Sequence, residues 1–336
     1  MNFLSMTIPE LRSALAALGE PPYRALQLAD WVYRKGVTDP ARMTNLPAAL
    51  AQRFIYLTSR VAARSESADG TLKLLVDLAD GERVETVLIP TERFATACLS
   101  TQVGCPVGCA FCASGLEGLK RNLAAEEILE QLLHLRQAAG RRISHVVFMG
   151  MGEPLANYKA TVAAIRAITD PERFGLSARH VTVSTVGLPK AIRRLAAEDL
   201  PITLAVSLHA PDDALRRRLV PGAAPLGEVL AAAQAFFQSR GREVTLEYVL
   251  LAGVNDSRPC ADRLADLARP IRCSVNVIPF NPVPGVPFER PSQAGVRAFA
   301  DRLRRRGINV HVRRSRGADA EAACGQLRRA GPPNVR

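Results

Sequence analysis

An alternation most constrains what this chain can fold into. From residue 96 onward, short β-branched runs and longer amphipathic runs succeed one another. Strand-like segments at 96–101, 143–149, 179–184, 202–207, 243–251, 273–279 and 308–313 are separated by helix-like segments such as "AAEEILEQLLHLRQ" and "LGEVLAAAQAFFQS". Repeated strand-then-helix units predict a parallel sheet with helical crossovers. Two closures satisfy that pattern: a doubly wound sheet, or a full or partial (βα) barrel. The chain before residue 96 reads differently. "TIPELRSALAAL" has Thr7 as N-cap and Pro9 in its first turn, "YRALQLADWVYRKG" stops at Gly36, and "NLPAALAQRF" forms a third short helix. "TLKLLVDLADGERVETVLI" predicts a β-hairpin about Asp80-Gly81. The expected division is a helical accessory domain over 1–60, a β-hairpin extension over 61–94, an α/β core over 95–320, and a C-terminal segment over 321–336 whose end, "GPPNVR", reads as a loose tail.

The chemistry concentrates at "CLSTQVGCPVGCAFC". Cys105, Cys109 and Cys112 form a C-x3-C-x2-C run on a Gly- and Pro-rich loop, with Cys98 seven residues upstream. No second pair with zinc-ribbon spacing follows, and an iron–sulfur cluster normally takes four cysteines. The spacing favours a cluster with three protein ligands and one iron open to another ligand, over a zinc site that recruits Cys98. Seven cysteines, without a signal peptide pattern at the N-terminus or an apolar stretch of membrane-spanning length, predict a cytoplasmic protein using metal or redox chemistry rather than a disulfide framework.

Polar residues also gather where the predicted strands end. Gly152 and Glu153 follow one strand in "MGMGEP", Ser184 ends the next, Ser207 and His209 end the one after, and Asn255, Asp256 and Asn281 follow the last ones. Each has an ordinary structural reading as a cap, turn or hydrogen-bonded core residue. Together they mark the carboxyl rim, where βα loops build sites. The net charge of +12 favours a polyanionic partner, most simply nucleic acid. Basic clusters fall at Arg216–Arg218, Arg304–Arg306, and Arg313, Arg314 and Arg316; the first two also read as solvated helix faces.

With these residues assembled, the chain resembles the RlmN/Cfr family of radical S-adenosylmethionine (SAM) RNA methyltransferases along nearly its whole length. "YRALQLADWVYRKGVTDPARMTNLP" is similar to the family's accessory helical domain. "VETVLIP", "CLSTQVGCPVGCAFC", "GLKRNL", "FMGMGEPLAN", "SLHAPDD", "EYVLLAGVND", "IPFNPVPG" and "ACGQL" follow in order. The chain is closer to the carbon-2 branch, RlmN, than to the carbon-8 branch, Cfr. Departures are small: Ser114 stands where Thr is common and Leu119 where Phe is frequent.

The resemblance implies a partial (βα)6 barrel, a 4Fe–4S cluster on Cys105, Cys109 and Cys112, and SAM contacts at Gly152, Glu153, Ser184, Ser207, Leu208, His209 and Asn281. It makes Cys324 the methyl-carrying residue, Cys98 its resolving partner and Glu85 the general base, and leaves Cys260 and Cys273 structural. The implied reaction is ping-pong, with two SAM molecules per turnover: one methylates Cys324, and the second yields a 5′-deoxyadenosyl radical that activates the methyl group for addition to adenine. A disulfide between Cys98 and Cys324 closes each turnover and is then reduced. Expected partners are 23S rRNA before full ribosome assembly, the anticodon loop of tRNA, and a reductant such as a flavodoxin system. The enzyme is expected to act as a monomer away from membranes.

Overall fold

The computed structural model describes residues 1–116 and 118–328. The "GPPNVR" tail therefore lies outside the described residues. Helices α1 (Ile8–Ala17), α2 (Arg24–Ala29, continued by a π-helical turn to Arg34) and α3 (Ala48–Ala51) form the N-terminal region. Thr7 caps α1 in a reciprocal box: its backbone N–H donates to Glu10 at 2.7 Å, and Glu10 N–H donates back to the Thr7 hydroxyl at 3.4 Å. The region docks on the back of the core through buried polar ties. Arg173 donates to the Leu4 carbonyl and the Tyr33 hydroxyl, and the Glu130 carboxylate accepts from the backbone of Thr58 and Ser59.

The remaining strands build one ten-stranded sheet and a small two-stranded one. Strands β1 (Arg60–Glu66), β2 (Leu72–Asp77), β3 (Arg83–Pro90) and β4 (Ala95–Cys98) pair antiparallel in sequence order. The expected hairpin is thus β2–β3, turning at Gly81, and it carries a third strand, β1, on its outer edge. β5 (Gln102–Gly104) leaves the main sheet and pairs with β6 (Leu119–Asn122). The single strand expected over 96–101 ends early because Ser100 donates its N–H to Gln131 and Thr101 donates to Met151 O, which turns the chain inward.

From β4 the sheet is parallel through β7 (His145–Phe148), β8 (Val181–Thr185), β9 (Thr203–Ser207), β10 (Val244–Leu250), β11 (Cys273–Pro279) and β12 (Asn309–Val312). The crossovers run through α5 (Ala125–Ala139), α6 (Tyr158–Thr169), α7 (Pro189–Ala197), α8 (Asp213–Leu219) with α9 (Leu226–Arg240), α10 (Arg258–Ala268) and α11 (Gln293–Arg305). These are six strand–helix units followed by β12, an open partial barrel. The two outer strands, β1 and β12, do not pair with each other. Between β5 and β6 sits a one-turn helix, α4 (Ala113–Leu116), directly after the last clustered cysteine.

The main core fills the barrel and extends under the N-terminal helices, with Leu28, Phe148, Leu204, Leu246 and Val277 almost wholly buried. A second, smaller apolar cluster of Val107, Phe111, Val186, Leu219, Leu251 and Phe280 seats the cysteine loop on the carboxyl rim. Among the described residues, no helix is long and apolar enough to cross a membrane.

Candidate active site

The carboxyl ends of the parallel strands open into a cavity lined by Cys105, Cys109 and Cys112 on one wall. Gly152, Glu153, Ser184 and Ser207 face them from the strand ends, and His209, Asn281 and Cys324 complete the lining. Ten residues scattered over 220 positions of sequence (324 − 105 = 219 intervals) therefore share one space.

The cysteine loop is shaped by close backbone contacts. Gly104 adopts φ +78°, and a β-carbon there would lie 1.8 Å from the Gly118 carbonyl oxygen, so no other residue fits. Cys105 N–H donates to that same carbonyl at 3.1 Å, and Ala110 N–H donates to Leu219 O at 2.9 Å. Burial pushes the Cys105 thiol up to about 12 and raises those of Cys109 and Cys112, with mutual repulsion among the three adding to the effect. Three half-buried cysteines on one wall are a soft donor set that a cationic iron–sulfur centre would satisfy as thiolates. They do not converge on one point: among the described residues, no group of three or more His, Cys, Asp or Glu could hold a single metal ion. The donor set fits a cluster, and the arrangement in which Cys98 closes a zinc site with these three is not formed.

Opposite the cysteines, Glu153 is held at the bend after β7. Its two oxygens accept from Leu155 N–H at 3.0 Å and Val186 N–H at 2.8 Å, and its own N–H donates to Gln102 at 2.7 Å. Burial raises its pKa against those bonds. Gly152 takes φ +103°, and a β-carbon there would meet the Gln102 side chain at 2.7 Å. A carboxylate with backbone donors behind it and open lone pairs in front suits an ammonium group. Ser184 and Ser207, at the ends of adjacent strands, place their hydroxyl oxygens 3.3 Å apart.

His209 sits in the left-handed region at φ +61°, held there by Asn255, whose amide donates to its carbonyl at 2.9 Å. Its Nδ1 accepts from Val249 N–H at 3.1 Å, so the ring proton of the neutral form is on Nε2. Burial, reinforced by Arg216, pushes its pKa down to about 3. Asn281 donates to the Cys324 carbonyl at 3.1 Å and accepts from Arg290.

Leu208 and Glu85 stand apart from this lining. The Leu208 side chain is buried in the main core, while its N–H donates to Glu247 O and its carbonyl accepts from Arg216. Glu85 is fully buried behind the cavity wall, 2.9 Å from Lys73 Nζ, and accepts from Arg328 N–H at 2.9 Å. Cys260, at the start of α10, and Cys273, at the start of β11, line neither this cavity nor its neighbour.

A second cavity adjoins the first. Cys98, Val87 and Ile89 form its floor, and Arg314 and Arg316 stand at its edge. Met149, Ile278, Asn281, Arg313 and Cys324 line both cavities. Burial pushes the Cys98 thiol up to about 12; Cys324 adds to the shift and the Arg313 cation opposes it. All seven cysteines are unpaired.

Two arginines read as members of basic surface clusters have other places. Arg216 is not on a solvated helix face: it is 1% exposed, and its guanidinium donates to the carbonyls of Val186 at 2.5 Å, Ala224 at 2.6 Å, Leu208 at 3.1 Å and Ser207 at 3.3 Å. It staples the loops after β8 and β9 beneath the cavity. Arg313 turns inward between Cys324, Glu247 and Cys98, and its pKa is raised by that surrounding set against the effect of burial. Arg304 and Arg306 do lie on an exposed, ion-paired face, bonded to Asp301 and Asp266.

Comparisons with known proteins agree with this geometry. Residues 1–58 match the ribosomal RNA large subunit methyltransferase N-terminal domain, and residues 99–262 match the radical SAM superfamily. A probable dual-specificity RNA methyltransferase RlmN of Thermosynechococcus vestitus is 47% identical over 98% of this chain and 99% of its own length. Its counterpart in Gloeobacter violaceus is 47% identical over 97% and 94%. A radical SAM methyltransferase from Sphaerobacter thermophilus, known from a crystal structure, superposes with a TM-score of 0.93 at 46% identity, covering 98% of this chain and 99% of that one. Near-complete coverage at this identity, on a rim that gathers three cysteines with the polar strand ends, places the chain in the RlmN family of radical SAM RNA methyltransferases.

Proposed function

We propose that the enzyme methylates carbon 2 of an adenosine in 23S rRNA and of an adenosine in the tRNA anticodon loop, carrying the methyl group on Cys324. One observation carries this reading: Cys324 lines both cavities, one walled by the three clustered cysteines and the other floored by Cys98. A sulfur at that partition can take a group on one side and deliver it on the other. The relatives are dual-specificity RNA methyltransferases by name, which supports a pair of RNA substrates.

Cys105, Cys109 and Cys112 would hold the 4Fe–4S cluster, which supplies, when bound, the single electron for reductive cleavage of SAM. Glu153 would face the SAM ammonium, while Ser184, Ser207, His209 and Asn281 would offer hydroxyl, imidazole and amide groups to its remaining polar atoms; Leu208 contributes scaffold rather than lining. In the first half-reaction the Cys324 thiolate attacks the SAM methyl group: the carbon–sulfonium bond breaks, a thioether forms, and S-adenosylhomocysteine leaves with the electron pair. Arg313 lines the same two cavities as Cys324 and places a cation beside it. After carbon transfer to the base, Cys98 attacks the Cys324 sulfur, and the sulfur–carbon bond breaks with its electron pair left on the base-bound carbon. That carbon takes up a proton to complete the methyl group, and a disulfide remains for an external reductant. Proton removal from the ring falls to Glu85, whose carboxylate must first lose its bond to Arg328 N–H. The apolar floor and arginine edge of the second cavity suit a splayed base with its phosphates outside.

Nucleoside mass spectrometry of 23S rRNA and tRNA after incubation with reduced enzyme and methyl-labelled SAM tests the assignment. Labelled 2-methyladenosine in both RNAs is expected. Label at carbon 8 would move the enzyme to the other branch of the family, and label in rRNA alone would remove the tRNA substrate.

A further inference from the structure

The C-terminal segment that carries Cys324 is strung between two anchors. On the rim side, Ala113 N–H donates to Gly325 O at 2.8 Å and Ser114 Oγ donates to Leu327 O at 2.6 Å. On the other side the anchor is the three-stranded extension, through two residues that line neither cavity. Lys73 on β2 is 2% exposed, and its ammonium donates to Glu321 O at 3.0 Å while contacting Glu85 at 2.9 Å. Glu85, beside it on β3, accepts from Arg328 N–H. One buried ion pair therefore grips the backbone at residues 321 and 328, on both flanks of Cys324. The preceding turn is held as well: Asp69 accepts from Gly317 N–H at 3.1 Å, and Ala68 N–H donates to Asp319 at 3.0 Å.

We propose that the buried Lys73–Glu85 pair is a latch that positions Cys324, setting how far its sulfur travels between the two cavities. The purpose of the latch rests on the methyl-carrier reading; its mechanics do not. A buried pair is costly unless its remaining donors and acceptors find partners, and here the segment supplies one to each residue, the Glu321 carbonyl to Lys73 and the Arg328 N–H to Glu85. Closing the segment gives Lys73 and Glu85 one hydrogen-bond partner each, and withdrawing it strips both residues of that partner. The same withdrawal bares the Glu85 carboxylate, so release of the methyl carrier and exposure of the base become one event. Lys73 and Glu85 act in this as positioning residues.

The test is anaerobic alkylation of the cluster-loaded enzyme with iodoacetamide, read by peptide mass spectrometry at Cys324, Cys260 and Cys273, without SAM or RNA. In Lys73→Met, Cys324 is expected to react at least about tenfold faster, the effect of losing one charge-assisted hydrogen bond from a local closing equilibrium. Cys260 and Cys273 should keep their wild-type rates, and Lys73→Arg should recover most of the protection. If the uncompensated Glu85 prevents folding, the neutral pair Lys73→Met with Glu85→Gln serves in its place, with the same expectation. Unchanged labelling of Cys324, or acceleration of all three cysteines together, overturns the latch. Because the assay needs no methyl transfer, it can succeed where the carrier reading fails, and the reverse also holds.

Discussion

Cys98 and Cys324 stand 226 positions apart in sequence (324 − 98) and face one cavity, with Arg313 beside both sulfurs. β4 brings the first to the end of its strand, and a loop held by the extension and the cluster helix brings the second. The pair is separate from the three cysteines of the rim, although Cys324 also borders their cavity.

Under the proposed reaction, that pairing would make the release step depend on Cys98. In Cys98→Ala, transfer to the base should proceed and release should slow by roughly a thousandfold or more, because among the described residues no cysteine besides Cys98 and Cys324 itself lines the second cavity. An RNA–protein adduct through Cys324 should accumulate on denaturing gels. Free methylated RNA at the wild-type rate would show that Cys98 does not resolve the intermediate.

Arg216 is expected to matter twice. Arg216→Ala leaves four carbonyls without this donor, those of Val186 and Leu208 in buried bonds, and should lower stability by roughly 3 kcal/mol or more. It should also raise the KM for SAM by loosening the loops after β8 and β9. Lysine cannot reproduce the planar fork, so Arg216→Lys should restore little of either. Denaturant melts and SAM titrations of the two variants check this.

The alternation of strands and helices was legible because parallel strands bury both faces and read as compact apolar runs, as in Leu204, Ala205 and Val206 of β9. β1 was not legible: "RVAARSE" is exposed along nearly its whole length and has no apolar alternation, so only its pairing with β2 makes it a strand. Nor could the triple-arginine run reveal which member turns inward. The carbonyls that draw Arg216 in include Val186, thirty positions earlier. Glu85 sits in the expected β3, but its partner in the C-terminal segment is 243 positions away. Long-range closure of this kind leaves no local pattern. The rim residues were easier, since each follows its strand directly.

His209 gives a pH signature. Its pKa falls from an ordinary 6.5 to about 3 on folding, so the folded state resists protonation. The stabilisation is fully present above pH 6.5 and is lost as pH falls from there toward 3. The stability gap between wild type and His209→Asn should therefore narrow across that window. A gap independent of pH would mean that the ring is not held neutral.

Gly150 is fixed by contact rather than by backbone angle. A β-carbon there would lie 2.6 Å from Ser100 Oγ and 2.8 Å from the Leu99 carbonyl, where β4 passes the loop after β7. Gly150→Ala should cost about 1–3 kcal/mol. The denaturant midpoint should fall with its slope unchanged. It should also displace Met151, whose N–H donates to that same serine at 2.8 Å.

The central claim is that Cys324 carries the methyl group. Incubating the cluster-loaded enzyme with methyl-labelled SAM, without RNA, and mapping the label by peptide mass spectrometry tests it directly. Label as a single thioether on Cys324, lost when reduced enzyme meets substrate RNA and recovered in its adenosine, is the predicted result. RNA methylation that persists in Cys324→Ala, with no label on the protein at any stage, would contradict the account.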